Sequence, residues 1–186
     1  YINIASTGNA IDFGNLTEAR RESAGFSNRT RALWAGNAVP LGSNAIDFVT
    51  ISSTGNAADY GDLLSATSNC QGFAPLANAT RGIFAGGTTG TRQDIIQYTT
   101  IDTNGNTIDF GNLTAATSSP AGAASPTRGL VMGGTAPGDT NTITFVTIST
   151  LGNSADFGDL TIVDHSGGAS SNAVRALYFR RGAEDI

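Results

Sequence analysis

The chain has 186 residues, of which 39% are hydrophobic and 13% charged, and its formal net charge is −5. All 10 basic residues are arginine and they form no cluster, which argues against duplex nucleic acid as a partner, because phosphate neutralisation supplies most of that affinity. No apolar run approaches the roughly 18 residues of a membrane span, so we expect no membrane insertion. The length suits one domain.

Two motifs recur along the chain at a nearly fixed interval. The first reads Ser6-Thr-Gly-Asn-Ala-Ile-Asp-Phe-Gly-Asn-Leu-Thr17 and returns at 53–64, 103–114 and 150–161. The second begins at an arginine, and its four copies are spaced by 50, 47 and 47 residues, at Arg31, Arg81, Arg128 and Arg175. Repetition at this interval is typical of a repeat architecture.

Each repeat predicts four short strands, which we call A to D. Strand A is small and apolar, strand B begins at the repeated arginine, strand C is β-branched and aromatic, and strand D holds the Ala-Asp-Phe-Gly stretch. Gly-Asn or Asn-Gly between C and D suits a tight turn that needs positive φ. We place strand A at 23–27, 71–74, 121–124 and 166–170. The best helical candidate, Leu16–Arg21, is one turn at most.

Four antiparallel strands in a repeat of about 40–50 residues are typical of a β-propeller blade. Gly86-Gly87 and Gly133-Gly134 close strand B and an aromatic follows in strand C, a pattern that resembles the kelch class. We therefore predict an all-β fold, a single kelch-like propeller domain over residues 1–186. Its three full blades would span approximately 23–63, 70–113 and 121–160.

The chain begins with strands C and D and ends with strands A and B. We predict that residues 1–16 and 166–186 pair into a fourth four-stranded blade, because half blades would leave sheet edges open. In the aligned copies 17 residues separate the strand-B arginine from the strand-C aromatic, and only 11 follow Arg175, so continuous closure would lack five. A segment of a longer propeller is the alternative, and pairing within or between chains stays open.

The repeated charged residues predict a structural role. Arginine recurs in strand B and aspartate in strand D, at Asp12, Asp59, Asp109 and Asp156. One ion pair or one backbone latch per blade would explain both, since an arginine fork binds carboxylates or carbonyls well. A calcium site at Asp59 with Asp62, or at Asp156 with Asp159, is the weaker alternative, because calcium needs six or more oxygens.

The sequence offers little for catalysis. His165 is the only histidine, and its neighbours Asp164 and Ser166 alternate faces on a strand, which argues against a catalytic triad. One histidine is too few for a copper oxidase, and the equivalent positions of the arginines argue against a sialidase. Cys70 is the only cysteine and is expected to be a small buried residue. We expect no enzyme, cofactor or metal.

Variable positions between copies are the candidates for binding. The A–B loop of the second blade has three extra residues near Pro75 and Leu76, and the B–C loops also differ. The arginines outside the repeat are expected to be exposed and to contact subunits or solvent; they are Arg20, Arg21, Arg29, Arg92, Arg180 and Arg181. Trp34, in the place of Phe84 and Val131, is expected to pack between blades.

The motifs Thr-Arg-Gly-x-Phe-Ala-Gly-Gly and Thr-Gly-Asn-Ala-x-Asp-Phe-Gly-Asp-Leu resemble kelch-type repeats in virion structural proteins of tailed phages, notably marine cyanophages. The resemblance implies a non-enzymatic tail, fibre or capsid-surface module in the virion, with other virion proteins, a host-surface glycan or further copies of itself as partners. A free carbohydrate-binding lectin of the same fold is the main alternative. A hydrolase or oxidase on a propeller ranks below both.

Overall fold

The computed structural model describes residues 1–36, 43–64 and 73–180. These residues form 14 β-strands and no α-helix. The strands are β1 Ala24–Ser27, β2 Arg31–Ala35, β3 Ala45–Thr50, β4 Ala58–Asp62, β5 Ala74–Ala77, β6 Arg81–Ala85, β7 Ile95–Thr100, β8 Ile108–Asn112, β9 Ala121–Ala124, β10 Arg128–Met132, β11 Thr140–Thr147, β12 Ala155–Asp164, β13 Gly168–Ser171 and β14 Ala176–Phe179. The all-β prediction is confirmed.

The strands form three four-stranded antiparallel sheets and one two-stranded sheet. Each of the larger sheets runs through its four strands in chain order. We call them blade 1 (β1–β4), blade 2 (β5–β8) and blade 3 (β9–β12), and we call β13–β14 the half-blade. In each blade the pairing of strands C and D shifts register next to an equivalent isoleucine, Ile46, Ile96 or Ile143, and in blade 3 it shifts a second time between Thr140 and Thr142. The repeated sequence therefore produces a repeated sheet.

The blades pack side by side through their first strands. β1 lies against β5, β5 against β9, and β9 against β13. Phe26 of blade 1 packs on Phe84 of blade 2, with ring centroids 4.7 Å apart, and Phe73 also contacts Phe84. A second core between blades 2 and 3 includes Leu76 and Val131. Small residues in strand A let the sheets approach closely, as expected for the innermost strand of a blade.

The two ends of the chain differ from the prediction of a complete fourth blade. The half-blade has only two strands, and residues 1–16 contain no assigned strand. Hydrogen bonds do not join residues 1–16 to residues 166–180, all of which lie in the described part of the chain. Each end is instead held by its own neighbour: Phe13 and Asn15 bind blade 1, and Ser171 binds Ala124 of blade 3.

Residues 16–21 contain bends and no helical turn. No helix in the described ranges is long and apolar enough to cross a membrane. Strand A of blade 2 begins at Ala74, three residues later than predicted. The sequence alignment matched Gly72 to Gly25, whereas the structure matches Ala74 to Ala24. The extra residues therefore precede strand A.

Candidate functional site

Each full blade contains a stack of an arginine and two aromatic rings. Arg31 lies 4.6 Å from the ring centroid of Phe48, and that ring meets Tyr60 edge-on at 6.0 Å. In blade 2 Arg81 lies 4.4 Å from Tyr98, which meets Phe110 at 6.0 Å. In blade 3 Arg128 lies 4.5 Å from Phe145, which meets Phe157 at 6.1 Å. Such cation–π contacts stabilise the arginine position.

Two of these three arginines also connect successive blades. Arg31 Nη1 donates to the carbonyl oxygen of Ile101 at 3.4 Å and to Asn104 Oδ1 at 2.8 Å, both in blade 2. Arg81 Nη1 donates to the carbonyl oxygen of Ile148 in blade 3 at 2.6 Å. Arg128 is exposed, and within the described residues it donates to no carbonyl of another blade. Arg175 is also exposed.

The Gly-Asn turn of each blade docks on strand D of the preceding blade. Gly105 N donates to the Tyr60 carbonyl at 2.9 Å, and Gly152 N donates to the Phe110 carbonyl at 2.8 Å. The neighbouring asparagines, Asn106 and Asn153, each accept a strand-D amide at 3.0 Å. A Cβ on Gly61 or Gly111 would clash with the backbone of the docked turn, so this close approach requires glycine.

The repeated aspartates lie outside these contacts. Asp12, Asp59, Asp109 and Asp156 are all exposed. Asp12 Oδ1 accepts the amide of Gly14 at 3.3 Å. In the described part of the chain none of them forms an ion pair with a repeated arginine, and no group of three or more metal-binding side chains is present. The arginine geometry is that of a backbone latch between blades.

Tyr60 anchors the contact between blades 1 and 2 from the other side. Its hydroxyl oxygen lies 2.7 Å from Thr99 Oγ1, and its single proton is shared between the carbonyl oxygens of Thr100 and Thr103, at 2.5 and 2.6 Å. Burial is the main cause of its raised pKa. Next to it, Asp102 accepts bonds from Asn28 and Thr30, which lower the Asp102 pKa. These residues belong to the interface between blades.

Arg20 is not exposed, contrary to the sequence-based expectation. Its side chain is 1% exposed and forms an ion pair with Asp47, which is 0% exposed, at 3.1 Å. Arg20 also donates to the carbonyls of Gly36 and Ala45 at 3.3 and 3.0 Å. The pair is satisfied on both sides, which is what burial of two charges requires. It fixes residues 17–20 against blade 1.

The remaining candidate binding residues are scattered. Arg21, Arg29 and Arg180 are exposed, and Arg181 lies outside the described residues together with Cys70. Arg92 Nη2 donates to the carbonyl of Pro137 at 3.1 Å, which links the B–C loops of blades 2 and 3.

The expectation that Pro75 and Leu76 belong to a variable loop is wrong. Both lie in β5, and Leu76 is buried in the core against Gly129.

A cluster that the sequence did not reveal joins blade 3 to the half-blade. His165 Nδ1 lies 2.9 Å from Asp139 Oδ2, and the Tyr178 hydroxyl donates to Asp164 Oδ2 at 3.0 Å. Burial, and then the bond to Asp164, raise the pKa of Tyr178 to about 12. His165 and Asp139 are 26 residues apart, so their spacing gave no signal.

One apolar groove of about 480 Å³ lies on the open face of blade 1. It is lined by Tyr1, Phe13, Leu16, Ala32, Trp34, Val49 and Ile51, with Gly14 and Asn15. Trp34 is therefore half-buried at the end of the row of blades, whereas its equivalent Phe84 is fully buried between two blades.

No protein-family model matches this chain, and no curated protein is similar to it at a significant level. The geometry supports two structural roles: the repeated residues hold neighbouring blades together, and blade 1 exposes the apolar groove. The repeated arginines of blades 1 and 2 act in the first.

Proposed function

We propose that the chain is a non-enzymatic structural or attachment module of a tailed-phage virion, built as a kelch-like β-propeller. The observation that carries the proposal is that Arg31 and Arg81, which recur at equivalent positions of the sequence repeat, latch one blade to the next. The virion context is supported by the repeat motifs that resemble phage structural proteins. Such a scaffold would present loops and blade faces to other virion proteins or to a host surface.

The proposed propeller contains a fourth blade. Residues 1–16 supply its strands C and D, and the half-blade supplies strands A and B. In support, the Ile11 amide donates to the Tyr1 carbonyl at 2.8 Å, and the terminal amine of Tyr1 donates to the Ile11 carbonyl at 2.6 Å. The equivalent pairs in the full blades are Phe48 with Ala58, Tyr98 with Ile108 and Phe145 with Ala155. The N-terminal residues therefore already hold the C–D register of a blade.

Peptide mass spectrometry of purified particles tests the virion role. The expected result is that peptides of this chain are present in stoichiometric, multi-copy amounts and stay with the particle after a salt wash. Their absence from intact particles would contradict the proposal.

A glycan array on the isolated chain tests the lectin alternative. Binding of a defined glycan that is lost in Trp34→Ala would favour the lectin, because Trp34 is one of the three aromatic side chains that line the apolar groove.

A further inference from the structure

The contact between blades is incomplete at both ends of the chain. In blades 1 and 2, Gly61 and Gly111 touch the Gly-Asn turn of the following blade. The equivalent Gly158 of blade 3 has nothing within 4 Å of an added Cβ, and Phe157 is 49% exposed. Arg128 stacks on its own aromatic pair but lacks the carbonyl that Arg31 and Arg81 bind. The C-terminal end therefore carries one half of a blade contact.

The N-terminal end carries the other half. Ile4 is 96% exposed, whereas its equivalents Ile101 and Ile148 are fully buried between blades. Among the described residues the amide of the turn residue Gly8 donates to no backbone carbonyl, whereas the equivalent amides of Gly105 and Gly152 donate to strand D of the preceding blade. The ring of Tyr1 meets Phe13 edge-on at 6.0 Å, the same pairing as in the full blades, but no arginine lies over it among the described residues. The turn and the aromatic pair are thus formed and unoccupied by a neighbour.

The apolar groove on blade 1 is the third surface that lacks the neighbouring blade found at the equivalent positions. In blades 2 and 3 the corresponding face is covered by the preceding blade: Phe84 and Ile101 are buried under blade 1, and Val131 and Ile148 are buried under blade 2. Leu33 in strand B of blade 1 covers the face of blade 2, and Ile83 in strand B of blade 2 covers the face of blade 3; both are fully buried. Their equivalent in the half-blade is Leu177, which is 60% exposed. The half-blade and the groove are complementary surfaces of the same repeat.

We propose that the half-blade of one chain docks on residues 1–16 and on the blade 1 face of a second copy, so that the two chains complete one blade between them. This rests on the fourth blade proposed above.

The intact blades give the register of this contact. In blade 1, Arg31 of strand B pairs with Thr50 of strand C. The equivalent residues of the proposed blade are Arg175 and Asn3, so Arg175 lies opposite Asn3 of the second copy. The bond from Ile148 N to the Thr127 carbonyl places Ile4 N on the Val174 carbonyl. Arg175 then stacks on Tyr1, Arg128 donates to the Ile4 carbonyl, and Leu177 enters the groove.

A second copy fits the structure better than closure within one chain. The contacts between blades 1 and 2 and between blades 2 and 3 use the same bonds at 2.9 and 2.8 Å, so packed sheets fix the angle between successive blades. Ile4 and Leu177 are both exposed, so the two ends of one chain do not pack on each other in this structure. A second copy meets both ends without a change inside either chain. The contact is head-to-tail, so it produces a closed ring or a filament.

Cross-linking between differently labelled chains tests the proposal. Thr30 Oγ1 donates to Asp102 Oδ1 across the contact of blades 1 and 2 at 2.8 Å, and the equivalent positions in the proposed contact are Thr127 and Ala5. One chain carries Thr127→Cys, the other Ala5→Cys, and both carry Cys70→Ser. After mixing and treatment with a short bismaleimide, we expect a covalent heterodimer. Replacing Ala5→Cys by Ile108→Cys, on an exposed strand-D residue, should abolish it.

The outcome distinguishes the fourth blade itself from its completion by a second copy. A chain that carries both Thr127→Cys and Ala5→Cys and cross-links only within itself would overturn the second copy while keeping the fourth blade. No cross-link in either format would overturn both. Sedimentation velocity adds an independent measurement: Ile4→Glu should raise the dissociation constant of self-association at least tenfold, whereas Ile108→Glu should leave it unchanged. A wild-type chain that stays monomeric at all concentrations would also overturn the second copy.

Discussion

Arg81 reaches across from blade 2 and donates to the carbonyl oxygen of Ile148 in blade 3 at 2.6 Å. The same guanidinium lies over the ring of Tyr98. One side chain thus fixes the strands of its own blade and the position of the next blade. The predictions below follow from such contacts.

Arg81→Ala should lower the free energy of unfolding by about 1–3 kcal/mol, because the buried Ile148 carbonyl loses its donor. Arg128→Ala is the matched control: it removes the same stacking on aromatic rings but no bond to another blade. We expect a smaller loss, of about 0.5–1 kcal/mol, at protein concentrations where the chain is monomeric. Chemical denaturation measures both. Equal losses would mean that the bond between blades contributes nothing.

Gly82→Ala should destabilise the fold by about 1–3 kcal/mol through overpacking. A Cβ at residue 82 would lie 2.0 Å from the ring of Phe26, which packs flat against this strand. The double variant Gly82→Ala/Phe26→Leu should recover part of the loss, because leucine occupies the same place over Gly129 in the next blade. Thermal unfolding of the parent and the two variants checks this. A Gly82→Ala variant as stable as the parent would show that the sheets are not in contact there.

Arg20→Ala should lower stability by about 3–5 kcal/mol, because it leaves Asp47 buried and unpaired. The double variant Arg20→Met/Asp47→Leu should be clearly more stable than Arg20→Ala alone, since it removes both charges together. Urea denaturation provides the comparison. If Arg20→Ala behaved like Arg21→Ala, an exposed neighbour, the buried ion pair would be absent in solution.

The free energy of unfolding should fall at alkaline pH because the hydroxyl of Tyr178 loses its proton. Its pKa is raised from 10.0 to about 12 in the folded chain, so the folded state favours the protonated hydroxyl. The contribution is fully present below pH 10 and is lost as pH rises from 10 towards about 12. Tyr178→Phe should be less stable at neutral pH and should show a shallower loss over that window. An identical alkaline slope in the two proteins would contradict the assignment.

Much of the fold follows from the sequence because the repeats are numerous and regular. The spacing of the repeated arginines predicts the three four-stranded sheets. Of the two half-blades that the phase of the ends predicts, only the C-terminal pair of strands is formed in the structure. Pro75 was wrongly placed in a loop because the alignment matched Gly72 to Gly25. The better signal was the apolar alternation of Ala74-Pro-Leu76, which matches Ala24-Gly-Phe26 in blade 1. Local pattern predicts a strand, but the face that it buries depends on the neighbouring sheet.

Contacts between distant, non-repeated residues could not be predicted in the same way. Arg20 looks exposed in the doublet Arg20-Arg21, and its partner Asp47 lies 27 residues away in a different segment. One signal was present: an aspartate amid the apolar strand Ala-Ile-Asp-Phe-Val needs a buried counter-charge. His165 and Asp139 offer no comparable signal, because both lie in loops that the fold brings together.

The central claim is that the two ends of the chain are halves of one blade. Hydrogen–deuterium exchange of the full chain, at concentrations where it self-associates, tests it at β14, with β10 as the internal reference. We predict that amides 176–179 are protected and that deletion of residues 1–4 removes this protection while amides 128–132 keep theirs. Unchanged protection at 176–179 after the deletion would contradict the claim.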